Sequence, residues 1–271
     1  MSSIVVWTRR HRLVAFFGLA FLVAWWPWPL YALSVFPIPF LPAGPLIGAL
    51  VVIGITEGRA GYRVLGARMI RWRVGWTWWA VAVGTPLAVL AVAVAANVAF
   101  FGAPAPVLAA MAWSQLALVA AIRIIDPTDG PMGEEPGFRG YAVPQLQARL
   151  SPLVSGVVLG VLVALWHLPL VATDRLAAVG LPITFAITLV YVWLFNRTGG
   201  SVLMTMVFHI AQGTVSYGAL GFTGADAARM DWLVGVLWFG LALGLIVLDR
   251  QAWRTAPAAS VAERTVEPAA R

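Results

Sequence analysis

Trp76–Phe101 reads WTWWAVAVGTPLAVLAVAVAANVAFF, 26 residues with no charged side chain among them. At 1.5 Å per residue a helix of this length covers roughly 39 Å, against a bilayer hydrocarbon core of roughly 30 Å. A surface helix of a soluble domain keeps one polar face; this stretch has none, so lipid is the solvent it fits. Working outward, further apolar runs occupy residues 13–36, 40–56, 107–125, 152–171, 181–195, 201–222 and 232–248. The expected fold is all-α, a polytopic membrane helix bundle of about eight transmembrane helices. Composition agrees: 61% of the 271 residues are hydrophobic and only 11% charged, with a mean hydropathy of +0.87.

The charge balance is basic, net +7, carried by 18 arginines and no lysine. In a soluble protein this would suggest nucleic acid as a partner, but here the arginines punctuate apolar runs and set orientation, so no nucleic-acid partner is expected. With the N-terminus in the cytoplasm, every arginine but Arg175 and Arg229 falls on or toward the inner side. The expectation is an integral protein of the cell inner (plasma) membrane, with cytoplasmic N- and C-termini and lipids as its immediate partners. Residues 13–36 are too long for a signal-peptide core, and Trp25-Trp26-Pro27-Trp28 reads as an interfacial belt, so the N-terminus is expected to be retained. Trp72, Trp76, Trp78 and Trp79 read as a second belt. Residues 1–250 form the transmembrane helical domain, and residues 251–271, rich in Ala, Pro and charge, read as a disordered cytoplasmic tail. With no cysteine, disulfide and thiolate chemistry are excluded, and a metal would need nitrogen and oxygen ligands.

Ionisable groups at membrane depth are costly and are usually paired or functional. Four stand out: Glu134 and Glu135 in Gly133-Glu134-Glu135-Pro136-Gly137-Phe138-Arg139, His167, and His209. His11, among Arg9, Arg10 and Arg12, reads as interfacial. Pro136 suits the first turn of a helix, and Glu135 and Arg139, four apart, form an ion pair on one helical face. Glu134 and His167 are equidistant from the Leu150-Ser151-Pro152 corner, so an antiparallel hairpin turning there would set them opposite each other, with Pro144 a potential kink. A rival arrangement lays residues 141–149 flat at the inner interface. His209 lies about ten residues into its span, roughly 15 Å deep. One carboxylate and two histidines in an apolar cavity can activate water: the carboxylate takes the proton while a histidine holds the water or the developing oxyanion. The same three groups, Glu134, His167 and His209, could instead hold Zn2+ with an open position for water, and both mechanisms stay open at this point.

The run from Gly133 through Arg139 to Gly140-Tyr141, then Ala164-Leu165-Trp166-His167-Leu168-Pro169, then Phe208-His209, resembles in order and spacing the three motifs of the CPBP family. Its members are the CAAX prenyl endopeptidases and bacteriocin-processing enzymes, also called the abortive-infection family. The resemblance is close over residues 107–221 and extends to the basic Gly58-Arg59-Ala60-Gly61-Tyr62-Arg63 loop. It implies hydrolysis of a peptide bond in a peptide or protein substrate, with Glu134 as general base, His167 assisting, and His209 contributing at the oxyanion. Glu135 and Arg139 would orient the site. Two positions depart from the family pattern. Val163 stands where Phe is common, and Gly213, four residues after His209, stands where Asn or Asp is common, with the neighbouring Gln212 as a candidate substitute. Gly213 also supports the alternative of a non-catalytic immunity or scaffold protein on the same fold. A transporter is a third class, without repeated halves in this sequence.

Overall fold

The computed structural model describes residues 3–254, and among these the chain is helical with no strand. α1 (Ser3–Arg10) leads into α2 (Arg12–Trp25), and α3 (Pro27–Ala32) continues it past Trp26, with Pro27 in the first turn where its missing N–H costs nothing. α4 (Gly44–Thr56) returns along α2. Gly44 and Gly48 of α4 lie against the Ala20 and Phe16 main chain, the close approach by which apolar helices gain contact in lipid. α5 (Arg59–Met69) follows, then α6 (Trp76–Phe101) and α7 (Trp113–Arg123). α8 (Gly130–Gly137), a π-helical turn (Phe138–Ala142) and α9 (Val143–Gln147) form one broken rod. α10 (Pro152–Trp166) with α11 (Leu168–Ala172), α12 (Gly180–Arg197), α13 (Val202–Gly213), α14 (Gly224–Leu248) and α15 (Arg250–Arg254) complete the bundle. α12 is the innermost helix, packed between α10 and α14.

Five helical stretches are long and apolar enough to cross a membrane: Arg12–Ala32, Trp76–Phe101, Pro152–Ala172, Gly180–Arg197 and Gly224–Leu248. α4 and α13 are shorter apolar helices. The bundle is as expected, but one crossing is made by different residues. Of the run 107–125, only the 11 residues of α7 form an α-helix, and none of them is buried. The return across the bundle is made by α8, the π turn and α9, antiparallel to α13: Gly130 abuts His209, and Gly140 abuts Val202 at the other end.

The ends of the helices sort into two faces. On one, Arg12 pairs with Glu57 at 3.1 Å, Ser201 Oγ donates to Arg71 O at 2.6 Å, and Arg197 pairs with Asp249. On the other, the Arg175 guanidinium lies 5.4 Å from the Tyr31 ring, and Arg229 donates to Asn97 and Asp226, each at 2.9 Å. Arg123, expected toward the first face, instead sits at the Gly213 end of α13, remote from the first face. It is kept there by a carboxylate partner, Asp129, which neutralises a largely covered guanidinium. The tail also begins later than expected, because Gln251 to Arg254 continue into α15, where Trp253 is buried and donates Nε1–H to Leu245 O at 3.0 Å. The rest of the expected tail lies outside the described residues.

Candidate active site

The site begins at a turn. Asp126 Oδ1 accepts from Thr128 N at 2.8 Å and from Thr128 Oγ1 at 2.7 Å, a local loop that competes with helix and ends the α7 segment. Asp129 is the N-cap of α8, in extended conformation, and accepts from Gly130 N at 2.6 Å. By propensity GPMGEEPG is a poor helix, with three glycines and two prolines. Its glycines are there for proximity. A Cβ on Gly133 would stand 2.7 Å from the carbonyl oxygens of Pro42 and Pro127, and one on Gly137 would overlap the Pro45 carbonyl, so α8 lies backbone-to-backbone on α4 and the segment before it. Tertiary contact overrides propensity here.

The π turn has a specific cause. In a regular helix Gly140 O would accept from the N–H of residue 144, but Pro144 has none. Arg68 Nη1 donates to Gly140 O at 2.5 Å and satisfies it from α5. The wide turn sits immediately after the two glutamates, where such irregularities often accompany functional groups.

Glu135 is fully buried and Arg139 nearly so. Glu135 Oε1 accepts from Arg139 Nη1 at 3.0 Å, the expected i,i+4 pair, and from His209 Nδ1 at 3.0 Å. The Arg139 guanidinium lies 4.1 Å from the Tyr191 ring centroid, and that ring meets His209 edge-on at 5.7 Å. Glu135 Oε2, Arg139 Nε and the Tyr191 hydroxyl are buried without a hydrogen-bond partner in the protein, so this is a polar pocket with unused donors and acceptors. Glu134 is also buried. An ideal Cβ on Gly130 would stand 2.9 Å from Glu134 Oε1 and 2.7 Å from His209 Nε2, so those two atoms flank one point over the Gly130 backbone, with no direct hydrogen bond or ion pair between them.

His167 caps the C-terminus of α10. Its Nδ1 is 2.8 Å from Val163 O and must donate there, since a carbonyl only accepts; Nε2 is thereby left with its lone pair. Because the bond is to main chain, the side chain at 163 does not decide it. Phe40 stacks near the His167 ring at 6.0 Å, and the buried Trp166 donates to Ala20 O at 3.3 Å, tying α10 to α2 beside the histidine. The hairpin about residues 148–151 does form, and it brings His167 within electrostatic reach of His209 and Arg139. The near neighbour of Glu134 is nonetheless His209; the direct Glu134 to His167 opposition is not among the contacts made.

The donors Glu134, His167 and His209 suit zinc in type. Among the described residues, however, no three His, Asp or Glu side chains are gathered closely enough to share an ion.

Four neighbours were not singled out from sequence. Tyr191 is a lone hydroxyl in an apolar run, Gly130 one of many glycines, and Asp129 part of a breaker cluster; Arg123 read as a topological charge. Arg123 donates from Nε to Asp129 Oδ1 and Oδ2 at 3.1 and 3.0 Å and from Nη2 to Oδ1 at 3.0 Å. Gln212 is exposed, whereas the Arg123 guanidinium fills the space beside Gly213.

Fold and site together define an integral membrane protein, a helical bundle with a buried Glu, Arg and His centre. Residues 117–215 match the family model for Type II CAAX prenyl endopeptidase Rce1-like proteins, in agreement with the resemblance read from the motifs. That stretch of the chain is thus similar to the Rce1-like domain, and Glu134, Glu135, Arg139, His167 and His209 all lie inside it. No curated protein sequence matches the chain.

Proposed function

We propose that this protein is an intramembrane endopeptidase that hydrolyses a peptide bond with a water activated by Glu134. The observation that carries the reading is the placement of Glu134 Oε1 and His209 Nε2 on either side of the small space over Gly130, with His209 oriented from behind by the Glu135–Arg139 pair. In this mechanism the Glu134 carboxylate takes a proton from water while the water oxygen bonds to the scissile carbonyl carbon, and the carbonyl π pair moves onto its oxygen. The water's other O–H donates to the lone pair of His167 Nε2, which holds the water for attack, with His209 at the side of the site nearest Glu134. The oxyanion then re-forms the carbonyl as the C–N bond breaks, and the leaving nitrogen takes the proton from Glu134, which returns to its ionised state. One peptide bond and one water give one carboxyl and one amine. The buried polar pocket lets these groups act without competing solvent.

The substrate is a peptide or protein segment reaching the site from the membrane, and the site's setting places the enzyme in a lipid bilayer. The alternative, a non-catalytic immunity or scaffold protein, draws on Gly213, which leaves the end of α13 without a side chain. The deciding experiment is cleavage of a peptide library in liposomes by wild type and by Glu134→Gln, with metal content measured on the same preparation. Cleavage by wild type that is lost in Glu134→Gln establishes the peptidase. Stoichiometric zinc would replace the metal-free mechanism with a metal-assisted one, and no cleavage across the library would move the protein to the binding class.

A further inference from the structure

The tetrahedral intermediate of peptide hydrolysis carries an oxyanion that is stabilised by pre-positioned hydrogen-bond donors. His167 Nδ1 meets Val163 O and His209 Nδ1 meets Glu135 Oε1, so each ring already has one nitrogen engaged with the protein. Arg139 is drawn to Glu135 and lies over Tyr191. Arg123 is a further cation beside the site. Arg123 commits Nε and Nη2 to Asp129 and turns Nη1 toward α13, where it reaches Thr214 Oγ1 only at 3.4 Å. The same Nη1 is 2.9 Å from the position a Cβ would take on Gly213, one helical turn after His209 on the same face. Any side chain at 213 would displace the guanidinium, so the glycine and the arginine fit as a pair. Asp129, which holds Arg123, also caps α8, and Gly130 follows immediately beneath Glu134 and His209.

We propose that Arg123 is a catalytic residue of this site, an anion donor that reaches across from α7 into the space left by Gly213 and receives the oxyanion of the tetrahedral intermediate through Nη1–H. The assignment rests on the peptidase reading for its substrate, but the anion site can be tested apart from turnover. A guanidinium anchored by a bidentate carboxylate is pre-positioned, which is what an oxyanion donor requires.

The test uses full-length protein in detergent micelles and two readouts, calorimetric binding of a leucine-flanked dipeptidyl phosphonate, a tetrahedral anion, and cleavage of the peptide library. Because Arg123→Ala alone would leave the half-buried Asp129 carboxylate without its cation, the working variant is Arg123→Ala with Asp129→Asn, which keeps a capping side chain and removes both charges together. Gly213→Asn added to that background restores a short N–H donor from α13 in the space opened. The expected result is a melting temperature near wild type, and phosphonate affinity and kcat both lower by about 100- to 1,000-fold with KM little changed. At least a tenfold recovery of each in the triple variant is also expected. Phosphonate binding that depends on Arg123 in a protein that cleaves nothing would sustain the anion site while the peptidase reading falls. Equal cleavage by wild type and the Arg123 variant would overturn the proposal and leave the peptidase reading standing. Absence of phosphonate binding to wild type, or a triple variant no better than the double, would also overturn it.

Discussion

In the proposed mechanism Gly130 sets the spacing of Glu134 and His209. Its missing Cβ leaves the room in which Glu134 Oε1 and His209 Nε2 approach, and any side chain would push one of them aside. Misplacing a catalytic group by about 1 Å costs on the order of 100-fold in rate. Gly130→Ala is therefore expected to lower kcat by about that factor or more, with a melting temperature within a few degrees of wild type; a variant cleaving at the wild-type rate would show that the space is not used. Glu135 and Arg139 make a different prediction, because both are buried. Arg139→Met strands a buried carboxylate and is expected to cost about 3–5 kcal/mol in reversible unfolding. Glu135→Gln with Arg139→Met removes both charges and should recover most of that stability while staying inactive, since a neutral amide at position 135 no longer anchors His209 as a carboxylate does. Recovery of activity along with stability would mean the pair is structural alone.

At the scale of elements, the rod from α8 to α9 explains both what the sequence told and what it hid. Trp76–Phe101 was legible because every side chain agrees with lipid, and the Glu135 to Arg139 pair was legible because spacing of four fixes a helical face. The crossing by residues 130–147 was not, since hydropathy reads Glu134, Glu135 and Arg139 as polar and cannot see that two of them neutralise each other inside the fold. Conversely 107–125 is apolar enough to mimic a span, yet only α7 is an α-helix there and it packs few neighbours. Tyr191 and Arg123 entered the site through tertiary approach, which no local pattern encodes. Helix ends give a pH prediction. Asp249 accepts from Arg197 and from Trp193 Nε1, the latter at 2.8 Å, joining α12 to the end of α14. The Arg197 hydrogen bond, foremost, and that from Trp193 hold its carboxyl below the ordinary value of 3.8. A depressed carboxyl contributes stability above its unfolded value and loses it as pH falls through the lower folded one. Asp249→Asn should therefore melt below wild type at pH 6, by no more than about 1 kcal/mol for so accessible a pair. The gap should close as pH drops below 3.8, and a gap that persists at pH 2 would place the effect in packing instead.

At the scale of the whole molecule, the two faces and the rerouted crossing make a topology that can be read directly, because the chain has no cysteine and single introduced thiols report without background. α13 rises from Ser201, bonded to Arg71 on the arginine-rich face, through 12 residues or roughly 18 Å to Gly213 beside Arg123. The loop holding Asp126 to Asp129 is thus set deep or toward the opposite face, whereas a crossing by 107–125 would have returned it to the arginine-rich one. Ala67→Cys and Gln251→Cys mark the first face, Ala177→Cys and Ala225→Cys the second, and all four positions are exposed. A membrane-impermeant maleimide applied to intact spheroplasts and to inverted vesicles should label these as two opposed pairs, and the positive-inside bias assigns Ala67→Cys and Gln251→Cys to the cytoplasm. Thr128→Cys, exposed in the loop before α8, is the discriminating position. It is expected to label with Ala177→Cys and Ala225→Cys. Labelling with Ala67→Cys instead would put the loop on the arginine-rich face, return the crossing to 107–125, and separate Arg123 from the end of α13, so that the anion site and the topology would fail together.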